Sequence, residues 1–329
     1  MVQKPWSWRI KLQKVLNNSM SGLLKLTVIL GICTSLFIAC DKEEAQIPSY
    51  INVDHFDLVT GTAEGSNSHK ISVVWITVGT KLIGPFDLPC TVPILQKGVQ
   101  EITLKAGVRM NGIAALRMIY PPYDVNSAGS DVLNENNEVI STVNLVPDSV
   151  IHINARAKYN DNVSFLNIEA FEGIGLTMDT LELKDTTRTP PVYTADLGII
   201  SDSTLVFEGE KSGKFHLNQE TDEFVLRTVT TYDIPETFGA TFIELNYKNE
   251  DIITVGYVLK GEFGEIIQSA LTLNPSEDWN KVYVSINPLE YILKNDLDID
   301  SFYIYIRGVL SDDKEEADIY LDNIKLITE

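Results

Sequence analysis

The chain has 329 residues, 44% of them hydrophobic, and carries 46 acidic against 26 basic side chains for a formal net charge of −20. A surface this acidic repels nucleic acid and anionic lipid, which argues against phosphate-binding roles. The hydrophobic share is too high for a disordered chain.

Charge is laid out unevenly from the start. Residues 1–39 hold five basic side chains (Lys4, Arg9, Lys11, Lys14, Lys25) and no acidic one, so without them the net charge becomes −25 over 290 residues. Leu26–Ala39 is an apolar or small run of 14 residues, short of the roughly 20 a helix needs to cross a bilayer. A basic flank, a short apolar run and a small residue before a break are the parts of a secretory signal peptide, expected over 1–39. Met20 offers a second start.

Ala39-Cys40 follows. A small residue before a cysteine, with an apolar one three places back, resembles the lipobox of bacterial lipoproteins, although Phe37 stands where leucine is usual. Cys33 follows Ile32 and fits that cleavage pattern poorly. The resemblance implies a diacylglyceryl thiol and an acylated amino terminus at Cys40, an outer-membrane anchor of several chains where one alone holds marginally. The alternative is a secreted protein cut near Ala39, with Cys40 a bystander. Lys42-Glu43-Glu44 is similar to the export signal that sends Bacteroidota lipoproteins to the cell surface, and the same charges make a solvated tether over 40–46. With Cys33 removed and Cys40 lipidated, Cys90 has no partner, so no disulfide framework is expected. Cys90 reads as a small buried hydrophobe.

Beyond the tether, strand patterns dominate. ISVVWITV (Ile71–Val78), EITLKAGVRM (Glu101–Met110) and VIHINARAKY (Val150–Tyr159) are rich in β-branched and aromatic residues between turn formers. Gly79-Thr80-Lys81 marks a hairpin. Only YILKNDL, after Pro288, looks briefly helical. The fold class is all-β. The length calls for two domains, divided in the polar KYNDNV (Lys158–Val163): a small β-sandwich over 47–159 and a larger one over 160–329.

In the first domain a strand, a turn, Leu82-Ile83-Gly84, and Gly98 before a strand that closes on Gly107 resemble the PEGA-type β-domain of cell-surface proteins. That resemblance implies a spacer or contact module, its glycines adopting positive φ at tight turns. In RMNGIAALRMIYPPY (Arg109–Tyr123) two prolines between Tyr120 and Tyr123 prevent regular pairing. The tyrosines either pack down on the sandwich or form a contact surface.

In the second domain Phe171-Glu172, Gly209 with Ser212-Gly213-Lys214, Trp279 and the closing Leu321–Ile324 resemble jelly-roll modules of the galactose-binding and carbohydrate-binding kind. Side chains alternate along a strand, so WNKVYVSI sets Trp279, Lys281 and Tyr283 opposite an apolar face, and SFYIYIRG does the same with Tyr303, Tyr305 and Arg307. If both strands lie in one sheet, these six form an aromatic and basic platform for a glycan ligand. Ordinary cross-strand pairing and burial under the first domain are the competing readings. Glu172 and Asp322 sit where such modules would share a calcium, but no dedicated calcium loop is present and no metal or cofactor is expected.

Catalysis finds little support. The histidines (His55, His69, His152, His216) are scattered, and no HExxH pair or GxSxG elbow occurs. In EADIYLD (Glu316–Asp322), Tyr320 stands where a paired glycosidase carboxylate would be needed; the acids read as a charged, exposed sheet edge. The expectation is a non-catalytic surface lipoprotein binding a glycan. The competing class is an accessory subunit held to an integral β-barrel protein, favoured by apolar surface near Tyr120–Tyr123. A third, a glycoside hydrolase, would depend on Glu316 or Asp318.

Overall fold

A computed structural model describes residues 46–123, 129–182, 184–185, 192–236, 241–262 and 264–329. The expected signal peptide, Cys40 and Lys42-Glu43-Glu44 lie outside them. From Pro48 onwards the chain forms one compact unit holding two β-sandwiches.

The first contains β1 (Ser49–Val59), β2 (Val73–Val78), β3 (Lys81–Asp87), β4 (Cys90–Ile94), β5 (Gly98–Arg109), β6 (Arg117–Ile119), β7 (Asp131–Leu133), β8 (Val139–Ile140), β9 (Thr142–Leu145) and β10 (Val150–Lys158). One sheet has the order β4-β1-β10-β7-β8, with β1 and β10 parallel. The other is β3-β2-β5, with β9 and β6 paired to the two ends of β5. Period-two alternation sends Ile51, Val53, Val74, Ile76, Leu104, Val108 and Ile153 into one core. Gly84 and Gly98 hold the expected positive φ of 139° and 75°. Gly107 is kept for another reason: a Cβ there would lie 3.0 Å from both the Met118 carbonyl and the Val73 Cβ. Cys90 is half-buried, and burial pushes its thiol pKa up.

The second sandwich contains β11 (Ser164–Glu169), β12 (Met178–Thr180), β13 (Lys184–Asp185), β14 (Val192–Tyr193), β15 (Gly198–Ile200), β16 (Ser212–Asn218), β17 (Glu223–Thr228), β18 (Tyr232–Asp233), β19 (Thr241–Asn249), β20 (Ile253–Gly261), β21 (Gly264–Leu273), β22 (Ser276–Ile286), β23 (Ile299–Val309) and β24 (Glu316–Thr328). Its sheets run β15-β16-β24-β19-β22 and β12-β17-β23-β20-β21. The eight long strands thus cross between layers as β16, β17, β19, β20, β21, β22, β23, β24, the double Greek key of a jelly roll. Between the layers Phe215 stacks on Phe224 with ring centres 3.8 Å apart, among Leu217, Leu226, Ile243, Val284 and Ile304.

The short helix α1 (Pro288–Asn295) forms where YILKNDL foretold it. Pro288 opens it, the Asn287 side chain accepts from Glu290 N–H, and Asp296 closes it in the left-handed region. Leu205–Lys211 lies in the loop between β15 and β16, and strand begins at Ser212. One expectation needs correcting. The acidic stretch from Glu316 is no sheet edge: β24 is interior, flanked by β16 and β11 on one side and β19 on the other. A bulge at Asn323 (φ 47°) re-phases it, so that Leu321 and Ile324 both face the core while Asp322 and Lys325 face out.

Candidate functional site

The two strands expected to make one platform lie in different sheets, β22 in one and β23 in the other. Their outer faces therefore look away from each other across a sandwich whose layers stand about 10 Å apart. Trp279, Lys281 and Tyr283 never meet Tyr303, Tyr305 and Arg307.

The face bearing β22 is largely covered by the first sandwich. Tyr283 is fully buried, its ring 4.7 Å from that of Tyr120, and its hydroxyl accepts the Lys70 N–H at 2.8 Å. Tyr120 and Tyr123 are 0% and 1% exposed, wedged between the sandwiches. Lys281 pairs with the fully buried Glu244 at 3.0 Å, and Glu244 also accepts from Tyr120 Oη (3.0 Å) and Tyr159 Oη (3.0 and 3.1 Å). Lys325, at the re-phased end of β24, donates to the Ser66 carbonyl (2.7 Å) and Tyr159 Oη (3.2 Å). Burial pushes the Lys325 ammonium down to about 8, with Glu244 opposing and Lys281 reinforcing the shift. Burial is also the main cause that raises the pKa of Tyr120, Tyr123 and Tyr159 well above the usual phenol range. The network draws its groups from both sandwiches at once, which makes it a structural joint.

Trp279 lies on the uncovered part of the same face. It is half-buried, its Nε1 donates to the Leu205 carbonyl at 3.2 Å, and its ring lies 5.3 Å from Phe207 and 6.4 Å from Tyr320. Beside it Asp318 binds Lys214 at 2.6 Å and His216 at 2.8 Å. Burial would raise the Asp318 carboxyl, but the Lys214, His216 and Tyr320 hydrogen bonds outweigh it and hold it below the usual range. Such a carboxylate is a poor proton donor. Glu316 is exposed, with His216 at 4.0 Å. Neither arrangement is a glycosidase pair.

The outer face of the β12-β17-β23-β20-β21 sheet is built differently. Along β23, Tyr303, Tyr305 and Arg307 point out while Phe302, Ile304 and Ile306 fill the core. Tyr305 can lie close against β20 because its neighbour there is Gly256; a Cβ at that position would stand 2.7 Å from the ring and 2.2 Å from the Gln268 carbonyl. The phenols are tied down, Tyr305 to Ser269 Oγ at 3.0 Å and Tyr303 to Glu265 at 2.8 Å. Arg227 lies 5.8 Å over the Tyr303 ring. At 6% and 4% exposed, Tyr303 and Tyr305 are the floor of this face, not free stacking surfaces, which corrects their expected role.

Charged side chains reach solvent above this floor, beside the exposed aliphatic Ile267. Arg307 is 47% exposed and pairs through Nε with Glu223 at 2.5 Å. That carboxylate raises the Arg307 pKa above its ordinary value, so the guanidinium is always charged. A groove of about 380 Å³ opens beside it, lined by Ile252, Thr254, Val309 and Asp312. Another, of about 280 Å³, lies beside Glu265 at the far end of the row. The face thus offers anchored donors and acceptors over a rigid aromatic floor, suited to holding polyhydroxylated ligands.

Alternation already exposes Glu223, Val225 and Arg227 opposite the core residues Phe224 and Leu226 of β17, but only the strand order sets them beside Tyr303–Arg307. Glu172, expected near a shared calcium with Asp322, accepts the N–H groups of Glu210 and Lys211 at 2.7 and 2.9 Å. Asp322 accepts Ser212 Oγ–H at 2.6 Å, and burial pushes its carboxyl up to about 7. Among the described residues no group of three or more acidic, histidine or cysteine side chains is placed to hold a metal.

No protein-family model and no curated protein matches the chain. Solved structures do. A family 29 carbohydrate-binding module is similar over 51% of this chain and 91% of its own, with 11% identity and a TM-score of 0.30. TmCBM61, solved with β-1,4-galactotriose, is similar over 46% and 88%, with 12% identity and a TM-score of 0.29. A further carbohydrate-binding module of the β-sandwich superfamily covers 86% of this chain and 99% of its own, with 13% identity and a TM-score of 0.36. At these identities and scores the likeness assigns no ligand here.

Proposed function

We propose that the protein is a non-catalytic glycan-binding lipoprotein, anchored through Cys40 in the outer membrane, displayed on the cell surface, and binding through the jelly roll. The observation that carries this reading is the uncovered sheet face along β23. Arg307, Arg227, Glu223, Glu265 and Ser269 there present hydrogen-bonding groups over the pinned rings of Tyr303 and Tyr305. Vicinal hydroxyls of a sugar match the fork of a guanidinium and the two oxygens of a carboxylate. The opposite face is largely occupied by the first sandwich, which leaves only the part around Trp279 open.

The accessory-subunit reading was to draw on apolar surface at Tyr120–Tyr123, and those rings are buried within the molecule. Screening the mature chain against a polysaccharide array tests the proposal, followed by titration of any ligand against Arg307→Ala. Retention of a polysaccharide, with affinity lost in the variant, supports it. Recovery of a stoichiometric β-barrel protein from gently solubilised outer membrane, with no polysaccharide retained, replaces it by the accessory reading.

A further inference from the structure

The first sandwich has two ends, used differently. At one, Tyr120, Tyr123 and Tyr159 dock the jelly roll. The other is formed where β1, β5 and β10 begin and β4 and β9 finish: Ser49 pairs with Ile94, Tyr50 with Val150, and Gly98 with Leu145. The chain enters the sandwich here, the Pro48 carbonyl accepting the Asp148 N–H at 2.9 Å.

Leu95, Val99, Val146 and Val150 project from this end, about half exposed or more, with Val99 reaching 70%; Leu82 flanks them from the β2–β3 hairpin. Scattered exposed aliphatics are ordinary, but a group gathered at one end marks a contact. The charges among them, Lys81, Lys97, Glu101 and Asp148, cancel, on a chain whose net charge is −20. An anionic surface does not repel this end.

We infer that this end rests on the lipid surface, with the aliphatic rim in the interfacial layer, so that the first sandwich stands as a spacer holding the jelly roll clear of the bilayer. The inference rests on the anchor reading of Cys40. Seven residues separate Cys40 from Pro48, a span of under about 30 Å even fully extended, so an acylated Cys40 keeps this end, and not the opposite one, beside the membrane. The 11 residues of β1 give the spacer a height of about 36 Å. A rim of this size adds to an acyl anchor without replacing it.

The test uses the full lipoprotein in vesicles of phosphatidylethanolamine and phosphatidylglycerol. Cys90→Ser is combined with Val99→Cys or, as the control on the jelly roll, Val229→Cys, each labelled with an environment-sensitive fluorophore. The account expects emission at position 99 to shift to the blue and to be quenched by nitroxide lipids at least twofold more than at position 229. Equal quenching at both, with intact mass showing a lipidated Cys40, overturns the rim while leaving the anchor standing. An unlipidated chain overturns both. A blue shift found only with a co-purified protein, and not in vesicles, makes the rim a protein contact and overturns the lipid assignment.

Discussion

The two outer faces of the jelly roll begin from the same pattern and end in different roles. Each belongs to a sheet whose strands alternate apolar with aromatic or charged residues, and each carries tyrosines and basic side chains. On the β22 side, Tyr283, Lys281, Glu244 and Lys325 are closed over by Tyr120, Tyr123 and Tyr159 and become a joint between sandwiches. On the β23 side no described residue forms such a lid; the tyrosines are pinned as a floor, and Arg307, Arg227 and Glu223 stay available. A face becomes a candidate site by what is left uncovered, and its composition alone does not reveal that.

The contrast can be broken most forcefully at the joint. Glu244→Ala leaves Lys281 buried without its partner and two tyrosine hydroxyls without an acceptor, and is expected to cost about 3–5 kcal/mol, read as a lower urea midpoint. On the open face, Gly256→Val drives a side chain into Tyr305 and the Gln268 carbonyl. It should cost about 1–3 kcal/mol by overpacking and weaken ligand binding under conditions where the fold persists. Arg307→Ala removes an exposed charge, so stability should change by under about 1 kcal/mol, while glycan affinity falls about tenfold or more.

A smaller effect separates the joint by pH. Lys325 has its folded pKa lowered to about 8 from 10.5, so between those values the unfolded chain binds more protons and this residue's contribution to stability rises with pH. Wild type should therefore gain on Lys325→Met by about 1 kcal/mol or more between pH 8 and 10, measured by denaturant titration at each pH. At pH 7 the variant should be as stable as wild type or more so. Trp279→Ala comes last: it should lose some packing against Phe207 and leave glycan affinity unchanged.

Much of this architecture was legible beforehand. Val73–Val78, Gly98–Arg109 and Val150–Lys158 announced themselves by β-branched alternation, and YILKNDL after Pro288 announced the short helix α1. Strand order was not legible, because alternation states which residues share a face of one strand and says nothing of the neighbouring strand. That is why Tyr283 and Tyr305 could be assigned to one platform although a whole sandwich separates them. The interior position of β24 was hidden for the same reason: Asp318 and Asp322 looked like edge charges until Lys214, His216 and Ser212 were set against them. Burial of Tyr120 and Tyr123 was one of two readings open in the sequence, and the docked jelly roll decides between them.

The most direct measurement is titration of the mature chain, with Arg307→Ala and Trp279→Ala beside it, against whichever polysaccharide an array retains. The account predicts binding that weakens at least tenfold in Arg307→Ala and is unaltered in Trp279→Ala. Loss of binding in Trp279→Ala with Arg307→Ala unaffected, or no polysaccharide retained at all, would contradict it.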